Sequence, residues 1–382
     1  MKIIVTGGDG FCGWPTALGL ASAGHSVLIL DNLTRRNIDD EISSNSITPI
    51  ASIKSRISEA NKLIGEINFA NIDVAANPLA LKEAIKSFGP AAIVHFAEQR
   101  SAPYSMIGDK ERCYTVNNNI SSTHNICSAI VDADRSIHLV HLGTMGVYGY
   151  SDIFGNIPEG YLGVTINSTE KSTEILYPTN PGSIYHLTKS MDQLLFQFYH
   201  KNWGLKITDL HQGIVWGTQT DETIKSDLLV NRFDYDGIFG TVLNRFIVQA
   251  ANEYPLTVYG TGGQKRAFIH ISDTARCIRL AVENPASKNE RVRIFNQVSE
   301  VHSVIGLANL FKSQFGCNIN TVENPRKELA ENDLVVDNSG LKNLGFSPIL
   351  LSEGLAQDVG NIAKVFSQNF NKDNVLTSPK WA

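Results

Sequence analysis

Short apolar runs alternate with amphipathic stretches through the first half of the chain, at the periods of strands and helices. Lys2-Ile3-Ile4-Val5 reads as a buried strand, glycines at 7, 10 and 13 open a helix to about Ala23, and Gly24-His25 turns into a second apolar run, Val27-Leu28-Ile29-Leu30. Asn68 to Asp73 reads as a third strand, Pro78 to Phe88 as a helix closed by Gly89-Pro90, and Ala91 to Ala97 as a fourth strand. A long helix is predicted over about Glu111 to Asp132. A fifth strand, His138-Leu139-Val140-His141-Leu142, ends at Gly143-Thr144. This alternation predicts an α/β fold, a doubly wound parallel sheet of Rossmann type with ligands at the carboxyl ends of its strands. Asp73, Ala97, Thr144 and the Gly-rich turn all fall on that edge.

Two regions break the rhythm. Residues 33 to 66 are long for a strand-to-strand connection and hold a short helix around Arg56 to Ile64, which suggests an elaborated lid or interface segment beside the ligand. Beyond about Gly217 the alternation fades into polar, Gly-rich stretches between short elements. The reading divides the chain into a nucleotide-binding domain over 1–215 and a smaller mixed α/β substrate domain over 216–382, with some elements of the latter returning to the main sheet.

The turn Thr6-Gly7-Gly8-Asp9-Gly10-Phe11-Cys12-Gly13 lets the backbone approach a pyrophosphate, whose charge meets the N–H groups at the helix start. Asp31 closes the second strand about 20 residues on, where a carboxylate accepts from the adenosine ribose hydroxyls and repels a 2′-phosphate. NAD is therefore expected rather than NADP, with Arg35 and Arg36 lining the pyrophosphate or adenine. The candidate cofactor-binding set is Gly7, Gly10, Phe11, Cys12, Asp31, Asn32, Arg35, Arg36, Asp73, Val74, Phe96, Ala97, Asn119, Tyr185 and Lys189.

Tyr185 and Lys189 stand four apart in a predicted helix and so share one face. A neighbouring ammonium favours the phenolate, so Lys189 is expected to pull the Tyr185 pKa below its free value of about 10, toward a pH where it accepts an alcohol proton. A lone Tyr-x-x-x-Lys is more often surface decoration. Here it follows a dinucleotide turn and a Thr at a strand end.

The 382 residues are 42% hydrophobic, enough for a substantial core, and carry a formal net charge of −5 without blocks of like charge. Nucleic-acid binding therefore has no electrostatic footprint. No apolar run spans a bilayer, and the first strand begins at Met1, so a cytoplasmic protein without leader or membrane segment is expected. Cys12, Cys113, Cys127, Cys277 and Cys317 show no metal-ligand spacing, and no metal site is expected.

Several motifs together carry a family resemblance. They are Gly10-Phe11-Cys12-Gly13-Trp14, Asp31-Asn32-Leu33, Thr48-Pro49-Ile50-Ala51-Ser52-Ile53, Glu98 to Ile107, Leu142-Gly143-Thr144-Met145-Gly146, Tyr185-His186-Leu187, Asn231 to Asp236, Leu243-Asn244-Arg245-Phe246, Pro255 to Gly260 and Asn324-Pro325-Arg326. On these the chain resembles the extended short-chain dehydrogenase/reductases that modify nucleotide sugars, and within them the branch that sulfonates UDP-glucose. The resemblance implies that tightly held NAD oxidises C4 of the glucose, water is lost across C5 and C6, sulfite adds at C6, and C4 is reduced again. It also implies a homodimer through two long helices, at about 111–132 and 183–203, and allows sulfite to come from a partner protein.

By the same resemblance Tyr185 is the base for the 4-hydroxyl, Lys189 its partner, Thr144 a second ligand of that oxygen, and Asn119 a support. Met145 and Gly146 stand where related 4,6-dehydratases carry an acid and a base, Asp-Glu, which disfavours plain dehydration. His186 is the first candidate to remove H5, against the alternative that it only buttresses the helix. Gln99, Arg100 and Ser101 are candidates for sulfite or sugar hydroxyls, Arg100 for sulfite because a guanidinium meets an oxyanion with two hydrogen bonds. Arg266 matches the family's diphosphate arginine, with Arg326, Gln212, Thr241, Asn244 and Tyr259 as neighbours, while Arg232, Tyr235 and Asp236 are assigned to ordering the substrate domain. Val147 departs from the Glu of the plant enzymes. The competing readings are a UDP-sugar 4-epimerase or 4,6-dehydratase, and a catalytically silent NAD-binding regulatory protein.

Overall fold

The computed structural model describes residues 1–149, 156–167, 171–287, 290–324 and 329–375. The strand Lys2–Thr6 is apolar from Ile3 to Val5 because both its faces are covered: Ile3 and Val5 enter one core and Ile4 the other. Around it lies a seven-stranded parallel sheet in the spatial order Arg293–Gln297, Lys206–Gln212, His138–Thr144, Ala92–His95, Lys2–Thr6, Ser26–Asp31, Ile67–Asn71. The helices Gly13–Ser22 and Ile271–Glu283 cover one face, and Pro78–Phe88, Asp109–Ala133 and Ile184–Trp203 the other. Chain order reverses on either side of Lys2–Thr6, which opens a crevice at the carboxyl ends of the strands. Thr6, Asp31, His95, Thr144 and Gln212 all end strands there.

Helix limits follow local signals. Pro78–Phe88 starts after Asn77, whose side chain accepts from Ala80 N–H at 3.1 Å, and stops at Gly89 with φ +64°.

The second lobe holds the sheet Ile214–Trp216, Lys265–His270, Glu300–Ser303, the pair Leu256–Tyr259 and Ile319–Val322, and the helices Val242–Ala251, Val304–Phe315 and Leu351–Asn361. Arg293–Gln297 leaves this lobe and returns to the edge of the main sheet, in register Leu210 to Phe295.

The 33–66 connection carries two helices, Thr34–Ile42 and Ile53–Leu63, where the sequence suggests one. It is packed as a brace. Ile47 N–H donates to Phe233 O at 3.1 Å, Thr48 Oγ1 to Asn231 O at 2.6 Å, and fully buried Arg56 reaches Asp9 of the Gly-rich turn at 2.6 Å. Among the described residues no helix is long and apolar enough to cross a membrane.

Candidate active site

A cavity of about 1060 Å³ opens at the carboxyl edge between the two lobes. At one end the Gly-rich turn is pressed against the neighbouring strand: a Cβ at Gly7, φ +72°, would stand 2.6 Å from the carbonyl carbon of Phe96. Only glycine permits that approach and that φ. Asp31 accepts from Asp9 N–H at 2.9 Å and from Leu33 N–H at 2.7 Å, and burial pushes its carboxyl up to about 6. Gly7, Gly10, Phe11, Cys12, Asp31, Asn32, Arg35, Asp73, Val74, Phe96 and Ala97 all line this end, and Asn32 Nδ2 donates to Asp73 Oδ2 at 2.8 Å. A crowded glycine turn, helix N–H groups and a buried acceptor at the strand end fit a dinucleotide.

The two arginines part company. Arg35 lines the cavity, stacked 3.6 Å from the centre of the Phe239 ring and paired with Asp39 and Asp234. Arg36 does not line it. Asp9 captures its guanidinium at 2.7 Å, and Ala51 O takes a further N–H at 2.9 Å.

The helix Ile184–Trp203 starts at the cavity wall, its first turn fixed by His186 N–H donating to Ser183 Oγ at 3.1 Å. Tyr185, His186 and Lys189 line the cavity together with Thr144 and Met145. Tyr185 hydrogen-bonds Thr144, whose Oγ1 also accepts from Gly146 N–H at 3.1 Å. The expected acidic phenol is corrected here. Burial outweighs the pull of Lys189 and pushes the Tyr185 pKa up to about 12, with the charge of Glu98 adding to the rise.

The Lys189 ammonium is committed elsewhere. Its Nζ lies 2.8 Å from Glu98 Oε2, 2.9 Å from His141 Nε2 and 2.7 Å from Leu142 O. Burial alone would lower the Lys189 pKa, but the Glu98 carboxylate leaves it above its ordinary value. Glu98, His141 and Asp192 stand clustered beside this ammonium, and Glu98 forms the ion pair with it.

Asn119 is buried and does not line the cavity; it ties the rim to the catalytic helix. Its Nδ2 donates to Gln99 O and Thr188 Oγ1, both at 3.0 Å, and its Oδ1 accepts from Gln99 N–H at 2.8 Å. Gln99 and Arg100 line the cavity, but both are engaged: the Gln99 amide donates to Ser101 O at 2.9 Å, and Arg100 Nη2 donates to Asp234 Oδ2 at 2.7 Å.

The far end of the cavity is cationic. Arg266, Thr241 and Tyr259 line it, joined by Arg245 and Gln264, which the sequence does not single out, whereas Gln212 lines the cavity beside the Gly-rich turn, its Oε1 3.9 Å from Cys12 Sγ. Arg245 Cζ lies 5.1 Å from the centre of the Tyr259 ring. Asn244 does not line the cavity; its N–H is taken by the Thr241 cap, Oγ1 accepting it at 3.3 Å. Arg326 lies outside the described residues.

Glu98 and His141 are the residues sequence reasoning passes over, although both stand inside stretches it quotes. A signal exists: a carboxylate that directly follows the run Ala91 to Ala97, at the carboxyl edge of the sheet, needs a cation once it is buried.

Comparison with known proteins agrees with this architecture. A model of the NAD dependent epimerase/dehydratase family matches residues 3–296, and the chain belongs to that family. Within it, the chain is 43% identical over its full length to the chloroplastic UDP-sulfoquinovose synthase of Spinacia oleracea, covering 79% of that protein. It is 41% identical to the UDP-sulfoquinovose synthase of Sulfolobus acidocaldarius, over 91% of this chain and 88% of that one, and it groups with the UDP-sulfoquinovose synthases. In fold it is similar to UDP-glucose 4-epimerase from Thermotoga maritima, solved with UDP-glucose (TM-score 0.71, 21% identity, 95% of this chain and 99% of that one). UDP-glucuronic acid 4-epimerase from Bacillus cereus, solved with NAD and UDP-glucuronic acid, gives a TM-score of 0.68 at 22% identity over 96% of this chain and all of that one.

Proposed function

We propose that the protein converts UDP-glucose and sulfite into UDP-sulfoquinovose. The observation that carries this reading is the pairing of His186 with Gly146: an imidazole, rather than a carboxylate from the residues after Thr144, faces the reacting end of the cavity. NAD, when bound in the cavity, supplies the reversible oxidation and reduction at C4 of the sugar.

The residues of the chain supply the rest. Tyr185, in its phenolate form beside the Lys189 ammonium, takes the proton of the 4-hydroxyl while Thr144 holds the same oxygen. The resulting ketone acidifies H5; His186 removes it and passes that proton to the C6 hydroxyl, which leaves as water. Sulfite, arriving as hydrogen sulfite, then forms the C–S bond at C6 of the enone through its sulfur lone pair, its own proton ends on C5, and Tyr185 gives its proton back to the C4 oxygen. The net change is the exchange of a hydroxyl for a sulfonate. Arg266 and Arg245 are assigned to the diphosphate, Tyr259, Gln264 and Thr241 to the uridine side, with Arg326 as a neighbour. Sulfite is assigned to Arg100, which lines the cavity and whose guanidinium is held by Asp234 at 2.7 Å and Phe239 O at 3.3 Å.

The reading extends to tightly held NAD, to sulfite arriving free or from a partner protein, and to the cytoplasm, although the spinach relative is chloroplastic. It also extends to a homodimer. Leu187, Met191, Leu194 and Phe198 recur along one face of Ile184–Trp203 and are between 39% and 63% exposed. In this reading 1–215 binds the dinucleotide and 216–382 mainly the UDP-sugar.

The experiment is incubation of the purified protein with UDP-glucose, with and without sulfite, and mass analysis of the sugar nucleotide. A sulfonated product supports the reading; a mass that sulfite does not change overturns it, in favour of an epimerase, a dehydratase or a silent protein.

A further inference from the structure

We infer that Asp234 is a positioning residue for sulfite: its carboxylate reaches over from the second half of the chain and fixes the plane of the Arg100 guanidinium at the cavity wall. This assignment rests on the reading of Arg100 as the group that receives sulfite.

The segment from Asn231 to Gly240 lies between the strand Ile214–Trp216 and the helix Val242–Ala251, and it is tied to the nucleotide-binding half at several points. Asn231 Nδ2 donates to Phe11 O of the Gly-rich turn at 3.0 Å, and Phe233 N–H donates to Ser46 Oγ at 2.8 Å. The turn that follows is closed by Asp236, whose Oδ1 accepts from Ile238 N–H at 2.6 Å and Phe239 N–H at 2.8 Å. Gly240 presses against it: a Cβ there would stand 2.4 Å from the carbonyl carbon of Tyr235. A backbone so fixed sets two acceptors before one guanidinium. Arg100 donates from Nη2 to Asp234 Oδ2 at 2.7 Å and from Nη1 to Phe239 O at 3.3 Å. The next residue is pinned to the same turn, Ser101 Oγ donating to Ile238 O at 2.5 Å.

Asp234 is the hub of a larger cluster. Its side chain is 1% exposed, and besides Arg100 it meets Arg35 Nη2 through Oδ2 and Arg232 Nη1 through Oδ1, both at 3.3 Å. Asp39 closes the other side, paired with Arg232 at 2.6 Å and with Arg35. Three guanidiniums of the cavity wall thus share two carboxylates, and Arg100 is the most exposed of the three. Two effects of Asp234 oppose each other. Its charge weakens the pull of the cluster on an anion. Its hydrogen bond fixes a fork that otherwise swings on a long stem, so the rotamer freedom is lost before the anion arrives and the N–H groups stand ready as a set. We place the second effect above the first, because Asp234 and Phe239 O grip both ends of the fork.

Asp234→Asn separates the two, since loss of charge alone improves sulfite use and loss of position impairs it. In the purified protein, kcat/KM for sulfite should fall about ten- to a hundred-fold in this variant, the scale of a misplaced binding group. KM for UDP-glucose should stay within about twofold of wild type. Asp39→Asn takes a carboxylate from the same cluster without touching Arg100, and should cost sulfite use far less. Beside the kinetics, nuclear magnetic resonance of protein carrying 15N-labelled arginine follows the rotation that exchanges the two terminal nitrogens of Arg100, its signal assigned by its loss in Arg100→Lys. That rotation should be slow in the wild type and faster in Asp234→Asn. Unchanged or improved sulfite use in Asp234→Asn overturns the proposal, as does an equal loss in Asp39→Asn or an equal rise in KM for UDP-glucose. Should Asp234→Asn not fold, Asp234→Glu decides, because it keeps the charge and moves the carboxylate by one methylene: wild-type sulfite use and wild-type rotation overturn the proposal, and impaired use with faster rotation supports it. The rotation is read without sugar or sulfite, so an equally slow rate in Asp234→Asn overturns the clasp whatever the product is, while sulfite use unaffected by Arg100→Lys tells against the sulfite reading instead.

Discussion

Gly146 leaves the space that the His186 imidazole occupies. A Cβ built on Gly146 would overlap Cδ2 and Nε2 of that ring and stand 2.9 Å from its Cγ. Gly146 follows the strand end at Thr144, where its N–H caps Thr144 Oγ1, so the backbone cannot retreat without disturbing the residue that bonds Tyr185. The missing side chain is thus a requirement for placing an imidazole at the cavity wall.

Gly146→Ala should displace His186 while leaving Tyr185 and Lys189 in place. The sulfonated product should form about a hundred- to ten-thousand-fold more slowly, the range of a lost general base. Oxidation at C4 should survive, so reduced cofactor should accumulate on addition of UDP-glucose, read at its near-ultraviolet absorbance. His186→Ala should share this signature, and a variant lacking both absorbance change and product would point instead to a collapsed site.

Tyr185→Phe removes the proton acceptor for the 4-hydroxyl and should abolish that absorbance change as well, with turnover down about a hundred- to ten-thousand-fold. Its thermal unfolding should stay close to wild type, because the phenol oxygen contributes one hydrogen bond, to Thr144.

NAD affinity should depend on pH through Asp31. Burial raises its carboxyl to about 6, and the ribose hydroxyls need it as an acceptor. The sign follows: above that value the ionised form binds, and affinity should fall as pH drops through it, with a proton released on binding. Calorimetry in buffers of different ionisation heat measures that proton. In Asp31→Asn the release should vanish and binding should weaken at every pH.

Arg56→Met tests the brace. Arg56 is fully buried, stacked 3.9 Å from the Trp14 ring centre and paired with Asp9 at 2.6 Å. Removing one partner of a buried pair costs about 3–5 kcal/mol, readable by denaturant unfolding at neutral pH. Although burial opposes it, Arg36 and Arg56 hold the Asp9 pKa below its ordinary value of 3.8. Their contribution is therefore present above that pH and is lost as pH falls through the folded value. The variant should show a weaker loss of stability in acid.

Much of the main sheet can be read directly from the chain, because its strands are buried on both faces and so appear as unbroken apolar runs. Pro78–Phe88 is found to the residue, its limits written in Asn77 and Gly89. The helix Thr34–Ile42 is not, since its cap Leu33 sits at φ 60°, a conformation no local pattern in that residue announces. The site is legible only where chemistry is local. Tyr185 and Lys189 stand one turn apart, but the carboxylate that meets the Lys189 ammonium, Glu98, lies far back in the chain, and no spacing reports such a contact. Arg36 and Arg35 look equivalent as neighbours. Only the position of Asp9 separates them.

The strand Arg293–Gln297 gives the molecule a stitched construction. It covers the open side of Lys206–Gln212, pairing with Thr208 through Gln212 after the chain has crossed the second lobe and come back. A fragment ending at residue 215 would expose those backbone donors and acceptors along an unpaired strand edge, and such an edge recruits other chains. Cutting there should yield aggregates rather than an isolated nucleotide-binding half. Engineering of this protein by swapping halves with a relative would have to carry the late strand along with the early ones.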